Sequence, residues 1–203
     1  MTAPRSGDSS VAVPEKSESS LPATPDEAGR GDRVQARAFA LLLLGLTAML
    51  AIAIDLVTKQ LALTHLSDGS TRLLWGTVYL DLTRNSGAAF SIGSGYTIVF
   101  PIIAVVVLLG IGWLARHLRS VPWAVAMGLI LGGALGNLMD RIFRAPSPFR
   151  GHVVDFISVL AEDGRVFPIF NAADSALFCG VVLAIYLEFT GRRRDGTRLR
   201  PDK

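Results

Sequence analysis

The sequence predicts an all-α integral membrane protein, with four transmembrane helices and a small β-rich outer segment between helices 1 and 2. Two observations lead there. Half of the 203 residues are hydrophobic and 18% are charged, and the mean hydropathy of +0.43 is high for a soluble domain of this size. The apolar residues are also gathered into four long runs. Residues 38–54, 98–115 and 121–139 contain no charged side chain, and 166–189 is interrupted only by Asp174 and Glu188. Runs of this length make roughly 26 to 36 Å of helix at 1.5 Å per residue, which matches the hydrocarbon core of a bilayer.

The elements follow in order. Residues 1–34 are rich in Ser, Pro and Ala with mixed charges and no apolar periodicity, so they read as a disordered cytoplasmic tail. The tail is no signal peptide, since its first apolar run starts at Ala38 and is long enough to span. Residues 35–190 form the membrane domain. After helix 1, residues 77–83 alternate β-branched and aromatic positions with others before a glycine-containing turn, which predicts a strand pair at the outer surface, with Trp75 and Tyr79 suited to the interface. Arg116 to Ser120 is a tight hairpin between helices 2 and 3. Helix 3 carries Gly128, Gly132 and Gly136 at four-residue spacing, with Gly133 alongside, and is expected at the centre of the bundle. Residues 191–203 are a basic cytoplasmic tail.

Basic residues set the orientation. With both termini in the cytoplasm, the inner segments hold 13 of the 20 Lys and Arg side chains. This arrangement brings Asp55, Asp140, Asp155 and Asp174, from separate parts of the chain, to the same depth at the outer face. Carboxylates at the edge of hydrocarbon are costly, and such acids mark functional sites. Two of them close together cannot both ionise easily, so one stays protonated as an acid while the other serves as a base. A pair of this kind hydrolyses a peptide bond with water alone. Asp174 is the firmest candidate, because it enters the membrane on helix 4 three residues after Asn171, which can orient a carboxylate or a substrate amide.

Other chemistries fit poorly. The single cysteine, Cys179, lies inside the fourth run and is expected to pack as a small residue; His65, His117 and His152 have no zinc spacing, so no metal or other cofactor is expected. Neither Gly-x-Ser-x-Gly nor His-Glu-x-x-His occurs. The positive charge reflects membrane orientation, which excludes a nucleic-acid partner.

Five segments in order resemble the signature blocks of lipoprotein signal peptidase, or signal peptidase II. They are Asp55-Leu-Val-Thr-Lys59, Asn85-Ser-Gly-Ala-Ala-Phe90, Gly132-Gly-Ala-Leu-Gly-Asn-Leu-Met-Asp-Arg141, His152-Val-Val-Asp-Phe156 and Phe170-Asn-Ala-Ala-Asp-Ser175. The resemblance implies an aspartic endopeptidase of the bacterial cytoplasmic membrane that removes signal peptides from diacylglyceryl-modified prolipoproteins, cutting on the amino side of the lipidated cysteine. It implies Asp155 and Asp174 as the catalytic pair. Asp55, Lys59, Asn85, Asn137, Asp140, Arg141 and Asn171 match its supporting and substrate-binding residues. Prolipoproteins and membrane lipids are the implied partners of a monomer that needs no cofactor. Asp140 is the second choice for the pair, against a structural ion pair with Arg141 or a cap. The 142–150 link and the N-terminal tail are longer than the family's usual pattern. Two other readings compete: a proton-coupled transporter, which would place its acids at the midplane within internal repeats, and a membrane scaffold, which would leave the five polar blocks without a purpose.

Overall fold

The computed structural model describes residues 25–67, 69–87 and 99–199. Residues 1–24 of the tail, Ala88 to Phe90 of the second signature block and the last four residues lie outside these. The elements run α1 (Pro25–His65), β1 (Thr71–Leu73), β2 (Val78–Asn85), α2 (Val99–Leu114), α3 (Val121–Phe143), β3 (Val153–Val159) and α4 (Ala172–Phe189). Among the described residues, three helical stretches are long and apolar enough to cross a membrane: Gly29–His65, Val121–Phe143 and Ala172–Phe189. The apolar helix Pro101–His117 is shorter.

The glycines of α3 explain its place in the bundle. A Cβ on Gly128 would sit 2.7 Å from Thr47 Cβ, and one on Gly132 would sit 2.7 Å from the Ala48 carbonyl, so α1 lies directly against this stripe. Gly133 faces the other way, where a Cβ would run into the Ala173 carbonyl of α4. Any larger side chain at these positions would push the helices apart. At the far end, Ala40, Leu44, Ile111, Trp123, Met127 and Leu187 make a compact apolar core from all four helices. Outward faces remain greasy: Leu42, Met49, Leu50, Val106, Leu109 and Ile185 are exposed, as a lipid-facing surface requires.

Several boundaries differ from the sequence expectation, each for a local reason. Helix α1 starts at Pro25, inside the stretch read as tail, and continues past Asp55 to His65. Asp55 and Lys59 are therefore interior helical residues joined as an i, i+4 pair. Helix α3 likewise continues to Phe143, taking Asp140 and Arg141 into its last turns. Helix α4 begins only at Ala172, because Phe170 is held extended beside Ile157 and Asn171 is the N-cap. Residues 191–199, read as a tail, fold back as a small hairpin with Arg192 bridged to Arg198.

The sheet is also larger than the expected strand pair. It is antiparallel in the order β1-β2-β3, so its third strand comes from the segment between α3 and α4. Leu80 pairs with Ile157 and Thr83 with Asp155, which sets Asp81 and Leu82 against Phe156 in a β-bulge. Trp75 is almost fully exposed in the turn between β1 and β2.

Candidate active site

Asp155 is delivered by a strand. On β3, Val154 and Phe156 pack against Ala62 of α1 and Leu66 just beyond its end, and side chains alternate along a strand, so Asp155 faces the opposite way. It opens into a cavity of about 990 Å³ lined mainly by apolar side chains of α2, α3 and α4, among them Val107, Ile130, Leu177 and Phe178.

Asp174 reaches the same cavity from α4. The Phe170 N–H donates to the Ile157 carbonyl at 3.0 Å, and the Phe170 carbonyl accepts from Ile157 N–H at 2.8 Å, which fastens the start of α4 to β3. Asn171 then caps the helix. Its Oδ1 accepts from Asp174 N–H at 3.0 Å, and Asp174 Oδ2 accepts from Asn171 N–H at 3.2 Å, a reciprocal capping box. The Asn171 amide meanwhile donates from Nδ2 to Asp155 Oδ1 at 2.6 Å. One buried asparagine thereby holds both carboxylates. The remaining oxygens are held as well: Asn85 Nδ2 donates to Asp155 Oδ2 at 2.9 Å, and Asn137 Nδ2 donates to Asp174 Oδ1 at 2.7 Å.

Behind the pair lies a buried charge network. Lys59 has no exposed surface, and its ammonium has three protons to place. It forms ion pairs with Asp55 Oδ2 at 2.7 Å and Asp140 Oδ2 at 2.9 Å and donates to Asn137 Oδ1 at 3.1 Å. The third contact and a bond from Asn171 Nδ2 to the same oxygen at 3.0 Å fix the rotation of the Asn137 amide, because its oxygen must face these donors and its NH₂ must then face Asp174. Gly136 makes room for the network: a Cβ there would sit 2.6 Å from Asp55 Oδ2. Asp55 Oδ1 accepts from the Ala173 N–H at 3.0 Å, which ties α1 to the first turn of α4.

Arg141 serves the loops. Its guanidinium donates to the carbonyls of Asn85 (3.1 Å), Gly151 (3.2 Å) and Gly87, and so joins the end of β2 to the approach to β3. Burial raises the Asp155 carboxyl to about 7, and the nearby Asp174 charge adds to the rise, while hydrogen bonds from Asn85 and Asn171 and the Lys59 charge oppose it.

The profile of the family described as "Signal peptidase (SPase) II" matches residues 47–190. The chain belongs to the signal peptidase II family. It is 47% identical over 158 residues to a lipoprotein signal peptidase of Rhodococcus jostii (strain RHA1), covering 77% of each chain. It is 48% identical over 151 residues to that of Mycobacterium leprae (strain Br4923), covering 74% of this chain and 72% of the relative. A solved bacterial membrane enzyme superposes with a TM-score of 0.62 at 34% identity, over 71% of this chain and 85% of that one. Family and helices together make the chain a multi-pass membrane peptidase, and they leave the transporter reading without support.

All nine residues singled out in the sequence converge on this site, but two details differ from expectation. Asp140 pairs with Lys59 and Arg144 rather than with Arg141, and it also accepts from the Val154 N–H at 3.2 Å. The sequence reading passed over Arg144, although its i, i+4 spacing from Asp140 was the available signal. Cys179 is exposed and lines the cavity instead of packing between helices, because its position on α4 faces the groove toward α2.

Proposed function

We propose that the chain removes signal peptides from diacylglyceryl-modified prolipoproteins on the amino side of the lipidated cysteine, with Asp155 and Asp174 as an aspartic dyad. The observation that carries this reading is the shared hold of Asn171 on both carboxylates at the mouth of a large apolar cavity. Water attacks the scissile carbonyl carbon as the ionised Asp174 takes one of its protons and the protonated Asp155 gives its own to the carbonyl oxygen. Collapse of the resulting gem-diol breaks the C–N bond, with a diol proton returning to Asp155 and the proton on Asp174 passing to the leaving amine. The apolar cavity suits a signal helix and acyl chains, and the seven supporting residues hold the dyad and the peptide backbone.

The dyad gives a pH dependence. Asp155 must be protonated to act as the acid, and burial sets its carboxyl at about 7. Cleavage rate is therefore expected to fall as pH rises through 7, measured as kcat/KM in one detergent at constant ionic strength. A rate that stays flat to well above that point contradicts Asp155 as the proton carrier.

Depth selection is the main test of the substrate assignment. Each buried CH₂ of an acyl chain contributes about 0.8 kcal/mol, and an unanchored peptide also loses alignment, where a misplacement near 1 Å costs on the order of a hundredfold in rate. The same prolipoprotein with and without its diacylglyceryl group, at equal concentration in the same bilayer, should differ by at least that factor. Equal cleavage would instead describe a general membrane peptidase.

The reading also includes four spans with both termini in the cytoplasm, α2 being the shorter span. A reporter active only in the cytoplasm should work after Lys203 and fail when inserted near Ser70 or Pro148. Activity at either insertion would reverse the orientation.

A further inference from the structure

About 30 Å from the dyad, counted at 1.5 Å per residue along α3, the opposite end of the bundle carries a second built cavity. It forms because the chain turns back after α4. Gly191 and Gly196 adopt φ of 66° and 88°, values that L side chains rarely take. Arg193 N–H then donates to the Thr197 carbonyl at 2.9 Å, and Leu199 N–H donates to the Gly191 carbonyl at 2.9 Å.

The hairpin docks on the α2–α3 turn through its backbone. The Arg194 carbonyl accepts from the N–H groups of Arg119 (2.9 Å) and Ser120 (3.0 Å), and the Arg192 carbonyl accepts from the indole of Trp123 at 2.7 Å. The Arg194 guanidinium lies 5.5 Å from the Trp123 ring centre, and Arg119 Nε donates to the Asp195 carbonyl at 3.1 Å. Backbone docking leaves the side chains free to line a cavity of about 450 Å³. Its walls include Arg119, Arg192, Arg193, Arg198, Ser120 and Thr197.

Four arginines around one space repel each other unless an anion joins them. Among the described residues the nearby acid is Asp195, whose charge reaches Arg119 and Arg193 and whose Oδ1 is held by Thr197 through N–H at 2.9 Å and hydroxyl at 2.7 Å, so one negative charge faces four guanidinium groups. Arg192 Nε is buried and has no hydrogen-bond acceptor among the described residues, an arrangement that native proteins seldom leave unfilled. The forked guanidinium donors match the geometry of phosphate oxygens. The rim identifies the kind of phosphate. Trp113 at the end of α2, Val121 at the start of α3 and Phe189 at the end of α4 are exposed at this same end, as side chains at a membrane interface are.

We propose that the 191–199 hairpin and the α2–α3 turn form a binding site for the phosphate of an anionic phospholipid headgroup. The site needs neither the peptidase chemistry nor a given orientation in the membrane. Its test uses the full chain in nanodiscs of phosphatidylglycerol or of phosphatidylcholine, with inorganic phosphate alone as a third arm. Lipid retention is read by native mass spectrometry, and backbone protection by hydrogen exchange over 191–199. The wild type should retain phosphatidylglycerol in preference to phosphatidylcholine and gain protection in the hairpin with the anionic lipid only. One basic side chain near an anionic surface contributes about fivefold, so R193Q/R198Q should lose retention on the order of 25-fold, and R192Q about fivefold. R165Q, which alters an arginine in the loop after β3, should match wild type. Equal retention of the two lipids, an unchanged preference in R193Q/R198Q, an equal loss in R165Q, or equal protection by inorganic phosphate would overturn the proposal. The exchange comparison needs no variant, so it decides the matter even if a substitution prevents folding.

Discussion

Asp155→Asn and Asp174→Asn are each expected to abolish cleavage while leaving a folded, membrane-inserted protein. Asparagine keeps the size of the side chain and one accepting oxygen, so one of the two donors to residue 155, Asn85 or Asn171, and the Asn137 donor to residue 174 have partners in the variants. The titrating carboxyl is lost together with one acceptor. For Asp174 a second role must be separated from catalysis, since its carboxylate also closes the capping box of α4. A lost cap costs about 1 kcal/mol, which lowers a melting temperature by a few degrees and leaves most molecules folded.

For Asp155 the stability effect has the opposite sign. Its native carboxyl is raised from 3.8 to about 7, so the folded state holds the proton more tightly than the unfolded state, and stability falls as pH rises between those two values. The neutral asparagine is exempt from that loss. Asp155→Asn should therefore be inactive and, above pH 7, at least as heat-stable as wild type. Turnover near the wild-type level in either variant at equal expression would end the dyad assignment; loss in Asp140→Asn with activity kept in Asp155→Asn would move it to Asp140 and Asp174.

What the sequence revealed depended on whether the signal was local. Asp174 and Asn171 were legible because a helix cap and its N3 residue lie within one turn. The α3 glycine stripe was legible through its four-residue spacing, and its contacts with Thr47, Ala48 and Ala173 follow from it. Asp155 was grouped with the other three acids but placed in a loop, because the strand around it, Val153–Val159, exists through pairing with β2 from a distant segment. An apolar run such as Val-Val-Asp-Phe-Ile shows no clean alternation when both faces of the strand are covered. The ends of α1 and α3 were set too early for a related reason. Apolar runs stop at the first charge, whereas Asp55, Lys59, Asp140 and Arg144 neutralise one another inside the bundle and let both helices continue.

That neutralisation makes Lys59→Met the most damaging single change expected outside the dyad. Methionine is close in length to lysine and keeps the apolar stem, but it removes the one cation shared by Asp55, Asp140 and Asn137. Asp140 retains Arg144, while Asp55 is left fully buried with only the Ala173 N–H. Breaking one side of a buried pair costs about 3–5 kcal/mol, mostly through the stranded charge. The same change takes away one of the two donors to the Asn137 oxygen and leaves Asn171 Nδ2, at 3.0 Å and shared with Asp155, so the amide that donates to Asp174 is held less firmly, and a misplacement near 1 Å costs about a hundredfold in rate. A compensating variant separates the two effects. Asp55→Asn added to Lys59→Met removes the stranded charge and should recover much of the melting temperature, yet the rate should stay low, because the Asn137 oxygen is then left to Asn171 Nδ2, a donor it shares with Asp155. The pair of measurements is thermal unfolding in one detergent and kcat/KM on a lipidated substrate. Lys59→Met with wild-type stability would show that the network is not held by the ammonium, and recovery of rate together with stability in the double variant would show that Lys59 acts on the fold alone and not through Asn137 on Asp174.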